Sequence, residues 1–166
     1  MKTKAFGTHP LIAFFCLALA ATVGLGMGNH LLKTRLEFIV TDGLSMYPTI
    51  PDGALLQATP KKNLQRGDIV SLRDDQGQVA VKRIIGLPGE TVTLDDGYVY
   101  INRRPLSEKY LPKGTITTPL TAGNTIQAGT DEYIVMGDNR KISYDSRAYG
   151  PVKEVNILSK INYDQK

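Results

Sequence analysis

Histidine is almost missing from this chain. The two histidines of the 166 residues are His9 and His30, and none occurs from Leu31 to Lys166. A Ser-His-Asp triad therefore cannot be assembled from residues 31–166, and neither can a histidine-based zinc site. Cysteine occurs once, as Cys16, which excludes an internal disulfide and a thiolate metal cluster. No block of five like charges appears, so there is no basic tail for nucleic acid. The net charge of +4 is spread along the chain and suits an anionic membrane surface.

The length fits one domain with some chain left for a tail or an anchor. The anchor is legible at the start. Residues 5–32 carry no formal charge, and the 17 residues from Leu11 to Met27 are almost wholly apolar. That is the short end of the roughly 17–25 residues that span a bilayer as a helix. Lys2 and Lys4 precede the run and Lys33 and Arg35 follow it. The balance of positive charge favours a cytoplasmic N-terminus and an extracytoplasmic domain. A cleavable signal peptide is the alternative, but Gly24-Leu25-Gly26-Met27-Gly28 is not a clean small-x-small site before a polar start. The chain divides into residues 1–35, cytoplasmic tip and transmembrane anchor, and residues 36–166, an extracytoplasmic domain.

From Leu36 onward, short β-type runs alternate with turn residues. The pattern predicts strands at 36–41, 54–58, 68–73, 78–85, 90–94, 98–102, 132–136 and 156–163. Asp95-Asp96-Gly97 reads as a hairpin turn. Residues 110–129, polar and rich in Thr, Gly and Pro, read as a long loop or a weakly paired excursion. No amphipathic helix is evident after the anchor. The expected fold is mainly β, with folded antiparallel sheets forming a barrel-like domain behind one N-terminal transmembrane helix.

Two runs carry chemistry. In Val79-Ala80-Val81-Lys82-Arg83-Ile84-Ile85, a lysine shares a strand face with Ala80 and Ile84. Apolar surroundings disfavour its ammonium form, and a neutral lysine beside a hydroxyl activates a nucleophile. In Gly43-Leu44-Ser45-Met46-Tyr47-Pro48-Thr49, a serine lies in a turn that exposes a hydroxyl and gathers backbone N–H groups, as an oxyanion requires. Taken singly, the serine is an ordinary turn serine and the lysine an ordinary snorkelling one. A third block, from Gly137 to Val152, is a dense polar loop after a strand. Ser143 there can orient an ammonium group by a hydrogen bond, and Asp138, Asp145, Arg147 and Arg83 are available for ion pairs.

Together these boxes resemble the type I signal peptidases, membrane-bound Ser/Lys proteases. The resemblance covers nearly the whole chain. It rests on the apolar N-terminus, Ser45-Met46-Tyr47-Pro48-Thr49, Arg66-Gly67-Asp68-Ile69-Val70, Val81-Lys82-Arg83-Ile84-Ile85-Gly86-Leu87-Pro88-Gly89-Glu90, and the Gly137–Val152 block, in that order. It implies that Ser45 is the nucleophile and Lys82 the general base. Ser143 helps hold the lysine, and the Ser45 N–H forms part of the oxyanion hole. Asp145 with Arg147, and Asp138 with Arg83, match structural ion pairs, while Met46 and Pro48 support the serine turn. Gly43 stands where many Gram-negative members place a second hydroxyl, as in many Gram-positive members, leaving the second oxyanion donor to backbone or solvent. The large accessory β-domain of longer members should be reduced or absent.

By the same resemblance the substrates are secreted preproteins, cut after an Ala-x-Ala type sequence at the cell membrane near the translocation machinery. Membrane lipid is a partner, nucleic acid is not, and no metal or organic cofactor is needed. A peptidase dedicated to one secreted or pilin-like substrate remains an alternative, as does a non-enzymatic, peptide-binding β-domain. A self-cleaving repressor-type Ser/Lys protease fits less well. It would carry a DNA-binding N-terminus and an Ala-Gly site before the serine, whereas Ala122-Gly123 and Ala128-Gly129 both follow it.

Overall fold

The structure is a computed structural model that describes residues 37–163. The anchor expected in residues 1–35 lies outside the described residues. Among the described residues, no helix is long and apolar enough to cross a membrane.

The described chain is mainly β. Strands β1 (Glu37–Val40), β2 (Leu55–Thr59), β3 (Ile69–Arg73), β4 (Val79–Gly86), β5 (Thr91–Asp95) and β6 (Tyr98–Ile101) follow one another. After them come β7 (Arg104–Pro105), β8 (Thr125–Gln127), β9 (Glu132–Met136), β10 (Val152–Lys153) and β11 (Ile157–Asn162). One short helix, α1 (Ser146–Tyr149), precedes β10. A seven-stranded sheet has the order β1-β2-β11-β3-β4-β9-β10, and a four-stranded sheet the order β7-β6-β5-β8. Every pairing is antiparallel. β5 and β6 are joined by Asp96 (φ 46°) and Gly97 (φ 81°), the left-handed pair that a two-residue hairpin turn requires.

Period-2 alternation on β4 explains how the sheets pack. Ile84 enters a cluster with Val70, Leu72, Val135 and Ile157 on one face. Ile85 enters another with Val92, Leu94, Val99, Ile134 and Met136 on the other, where the small sheet covers the large one. A third cluster of Met46, Ile50, Leu56, Ile69 and Ile161 sits under the turn that follows β1. The large sheet also curls. β1 and β4 are separated by three strands in the sheet order, yet Ile39 and Val40 line the same groove as Val79, Ala80 and Val81.

Residues 106–124, most of the expected loop, contain no strand or helix, and β8 closes the excursion by pairing with β5. β7, β8 and β10 are two or three residues each, too short for an alternating pattern to announce them.

Candidate active site

Ser45 lies in the turn between β1 and β2. Asp52 holds that turn: its Oδ1 accepts the Gly43 N–H at 2.8 Å and the Gly53 N–H at 3.0 Å. Gly43 adopts φ 102°, which a side chain would resist. The Tyr47 N–H bonds to the Leu44 carbonyl and the Ile50 N–H to the Met46 carbonyl. Met46 is buried in the cluster below, while Pro48 is exposed behind a cis Tyr47–Pro48 bond. The turn thus has an apolar floor, and the hydroxyl is left at its rim.

Lys82 comes from β4 and is 4% exposed. Its Nζ donates to Ser45 Oγ at 3.0 Å and to its neighbour's carbonyl, Val81 O, at 3.2 Å. Burial pushes the Lys82 pKa below the ordinary lysine range, although the carboxylates of Asp145 and Asp74 pull the other way. A lysine in this setting gives up its proton more readily than one in water. Ser45 and Lys82 both line a groove of about 360 Å³, walled by Ile39, Val40, Ala80 and Val81.

The Gly137–Arg147 loop closes the site from behind. The Asn139 N–H donates to the Ser45 carbonyl at 3.0 Å. Gly137 packs so tightly that a Cβ there would collide with the Ser45 carbonyl oxygen and with Ser143 Oγ. Ser143 Oγ is buried and has no hydrogen-bond partner among the described residues. The structure therefore places Ser143 beside Gly137 without a bond to Lys82. The Gly43 N–H is taken by Asp52, whereas the Ser45 N–H makes no hydrogen bond among the described residues.

Both expected ion pairs are present as paired contacts. Arg83 Nε and Nη2 reach the two Asp138 oxygens at 2.9 and 2.6 Å, and Arg83 Nη1 donates to the Gly67 carbonyl. Arg147 Nε and Nη2 reach the two Asp145 oxygens at 2.8 and 2.9 Å, with both side chains fully buried. Asp145 Oδ2 also accepts the Gly137 N–H at 2.9 Å, and Oδ1 accepts the Arg147 N–H as the N-cap of α1.

A second layer was not singled out from the sequence. Arg140 is fully buried, ion-paired with Glu108, and bonded to the Thr117 hydroxyl and the Gly137 carbonyl. Despite burial, Glu108 holds the Arg140 pKa above its ordinary value. Tyr110 lies under Arg83, whose guanidinium carbon is 4.0 Å from the ring centroid. Glu108 and Arg140 are 32 residues apart. No periodicity joins them, so only the fold brings them together.

A family model described as "Signal peptidase, peptidase S26" matches residues 12–163. The chain belongs to the S26 signal peptidase family. As a member it is a serine peptidase, a hydrolase. It is 35% identical to signal peptidase I V of Bacillus subtilis (strain 168) over 135 residues, 73% of this chain and 80% of that protein. It is 40% identical to signal peptidase I T of the same organism over 122 residues, 67% of this chain and 63% of that relative. The chain thus spans less than two thirds of the second relative's length. A crystal structure of a signal peptidase I from Enterococcus faecalis V583 matches with a TM-score of 0.53 at 36% identity, covering 63% of this chain and all of that one.

Proposed function

We propose that the protein is a membrane-anchored endopeptidase that removes signal peptides from secreted preproteins, with Ser45 as nucleophile and Lys82 as general base. The observation that carries this reading is the 3.0 Å contact between Lys82 Nζ and Ser45 Oγ at a lysine whose burial favours the neutral amine. A hydroxyl within hydrogen-bond reach of a base of lowered pKa is the arrangement that nucleophilic catalysis needs.

In this mechanism the cleavage-site segment lies extended in the groove. β1 is an edge strand of the large sheet, so its free backbone groups are available to pair with a peptide. The groove walls at Ala80 and Val81 suit small side chains such as alanine at the positions one and three residues before the cut. Neutral Lys82 takes the Ser45 hydroxyl proton as Oγ attacks the scissile carbonyl. The uncommitted Ser45 N–H donates to the developing oxyanion. Lys82 then passes its proton to the leaving amine, and an acyl-enzyme remains on Ser45. Water, activated by the same amine, hydrolyses the ester and restores the serine. No step uses a metal or an organic cofactor. Residues 1–35 would anchor the enzyme in the cell membrane with its N-terminus in the cytoplasm. Residues 36–166 would then meet preproteins on the outer side, near the translocation machinery. Confinement to one surface raises the effective concentration of enzyme and substrate.

The test is cleavage of a labelled preprotein ending in Ala-x-Ala by the detergent-solubilised full chain, beside Ser45→Ala and Lys82→Met. Cutting after the last alanine by the wild type alone is the expected result. Equal cutting by Lys82→Met would sink the lysine-base mechanism. An intact preprotein, together with wild-type labelling by a serine-reactive probe, would instead point to a dedicated substrate.

A further inference from the structure

Glu108 belongs to none of the sequence boxes, yet the two arginines that back the candidate dyad both lead to it. The first line runs to Ser45. The Ser45 carbonyl is held by the Asn139 N–H and abuts Gly137. That loop is fastened by the Arg140 guanidinium, whose Nε donates to the Gly137 carbonyl at 3.1 Å. The same guanidinium ends on Glu108, with which it forms a two-contact ion pair, and on the Thr117 hydroxyl.

The second line runs to Lys82. Its chain neighbour Arg83 is clamped by Asp138 and stacks on the Tyr110 ring. The Tyr110 hydroxyl donates to Glu108 Oε1 at 2.6 Å. Burial pushes the Tyr110 pKa up, so the hydroxyl keeps its proton and stays a donor. Glu108 Oε1 thus faces both Tyr110 and Arg140.

Charge gives the arrangement its stiffness. The Arg140 side chain is fully buried, and among the described residues the carboxylate that ion-pairs with it is Glu108. A buried guanidinium without its partner is strongly unfavourable, so neither group is free to drift. The supporting residues come from the excursion between β7 and β8, a stretch without regular structure. Its Leu106 and Tyr110 pack on the core, and its Thr118 carbonyl accepts from Arg147.

We propose that Glu108 is a positioning residue for the peptidase: by pairing with Arg140 and holding Tyr110 beneath Arg83, it fixes Ser45 and Lys82 relative to one another. This rests on the reading of Ser45 and Lys82 as nucleophile and base. Glu108 touches neither substrate nor reacting atoms. It acts through Arg140 and the Gly137–Asn139 backbone on one side, and through Tyr110 and Arg83 on the other.

The experiment uses the detergent-solubilised full chain and compares wild type, Glu108→Gln, Tyr110→Phe, Ser45→Ala and Lys82→Met. Three quantities are read: kcat and KM on an Ala-x-Ala preprotein, the rate of Ser45 labelling by a serine-reactive probe, and folding by circular dichroism. Glu108→Gln should lower kcat about ten- to a hundredfold, the scale of a small misplacement of reacting groups, with KM changed less than about threefold. Labelling should slow in parallel. Tyr110→Phe keeps the Glu108–Arg140 pair and the ring under Arg83 but cuts the link between them. It should lower kcat several-fold in the same sense, which mere charge balance at Arg140 does not require. A folded Glu108→Gln with wild-type kcat and labelling overturns the proposal. If Glu108→Gln does not fold, Tyr110→Phe decides, and an unchanged kcat there overturns it. Cutting by Ser45→Ala or Lys82→Met would overturn the dyad reading itself, a failure seen without touching Glu108.

Discussion

Lys82 Nζ donates a 3.0 Å hydrogen bond to Ser45 Oγ from a side chain that is 4% exposed, and the same burial that aims the amine also disfavours its charge. Activity should therefore require the neutral amine. It should rise with pH through a midpoint below the ordinary lysine range, because burial lowers that pKa. A kcat/KM profile across pH reads the midpoint directly, and an acid limb centred at the ordinary lysine value would refute the assignment.

The same shift bears on stability. A cation whose pKa is lowered in the folded state binds fewer protons there than when unfolded. Its cost is greatest below the folded pKa and fades as pH rises toward the unfolded one. Lys82→Met removes that cost. Lys82→Met should be at least as stable as wild type at neutral pH. Thermal melts at a series of pH values should show the difference shrinking as pH rises toward the lysine range.

Asp74 offers a way to move that midpoint without touching the site. Its carboxylate raises the Lys82 pKa from the β3–β4 turn, where Oδ1 accepts the Gln76 and Gln78 N–H groups. An asparagine keeps an oxygen for those bonds and loses the charge. Asp74→Asn should shift the acid limb of kcat/KM to lower pH and leave the alkaline plateau in place. A limb that stays put, with the fold intact, would show that Lys82 does not sense this carboxylate.

Much of this was legible in the residues, for reasons that also mark where legibility stops. The alternation in Val79–Ile85 put Lys82 on one strand face with Ala80 and Ile84, but the same run also describes a lysine that snorkels to water, and it is the fold that buries this one. Asp145 with Arg147, and Arg83 with Asp138, were readable as possible pairs because their boxes are compact and ordered. Glu108, Tyr110 and Thr117 were not, since they lie in a polar stretch whose composition describes any loop. Their meaning comes from contacts to Arg140 and Arg83 across more than twenty residues of chain. Asp52 was missed for a different reason. An Asp-Gly pair after proline marks a turn, but it does not say that the carboxylate reaches back to Gly43.

Gly137 tests whether the Gly137–Arg147 loop seats Ser45. An alanine Cβ there would meet the Ser45 carbonyl oxygen, Ser143 Oγ and, at 2.5 Å, the Ser143 Cβ. Backbone and a short buried side chain have little room to give. Overpacking of this kind costs about 1–3 kcal/mol, and the displaced Ser45 should cost activity beyond the loss of stability. Gly137→Ala should melt earlier and show a lower kcat per folded molecule. A stable variant with wild-type kcat would mean that the loop moves aside without disturbing Ser45.

Asp145 combines three duties in one carboxylate: it pairs with Arg147, accepts the Gly137 N–H and caps α1. Asp145→Asn keeps the shape but strands a buried guanidinium and presents an amide where two donors now point. Breaking a buried pair by removing one partner costs about 3–5 kcal/mol, so the variant should be among the least stable single substitutions in the domain. Denaturant unfolding measures that loss. A second consequence separates electrostatics from folding. Asp145 also raises the Lys82 pKa, so whatever activity survives below the melting temperature should have its acid limb at lower pH than wild type. Reduced stability with an unmoved limb would leave Asp145 as a structural group whose charge Lys82 does not feel.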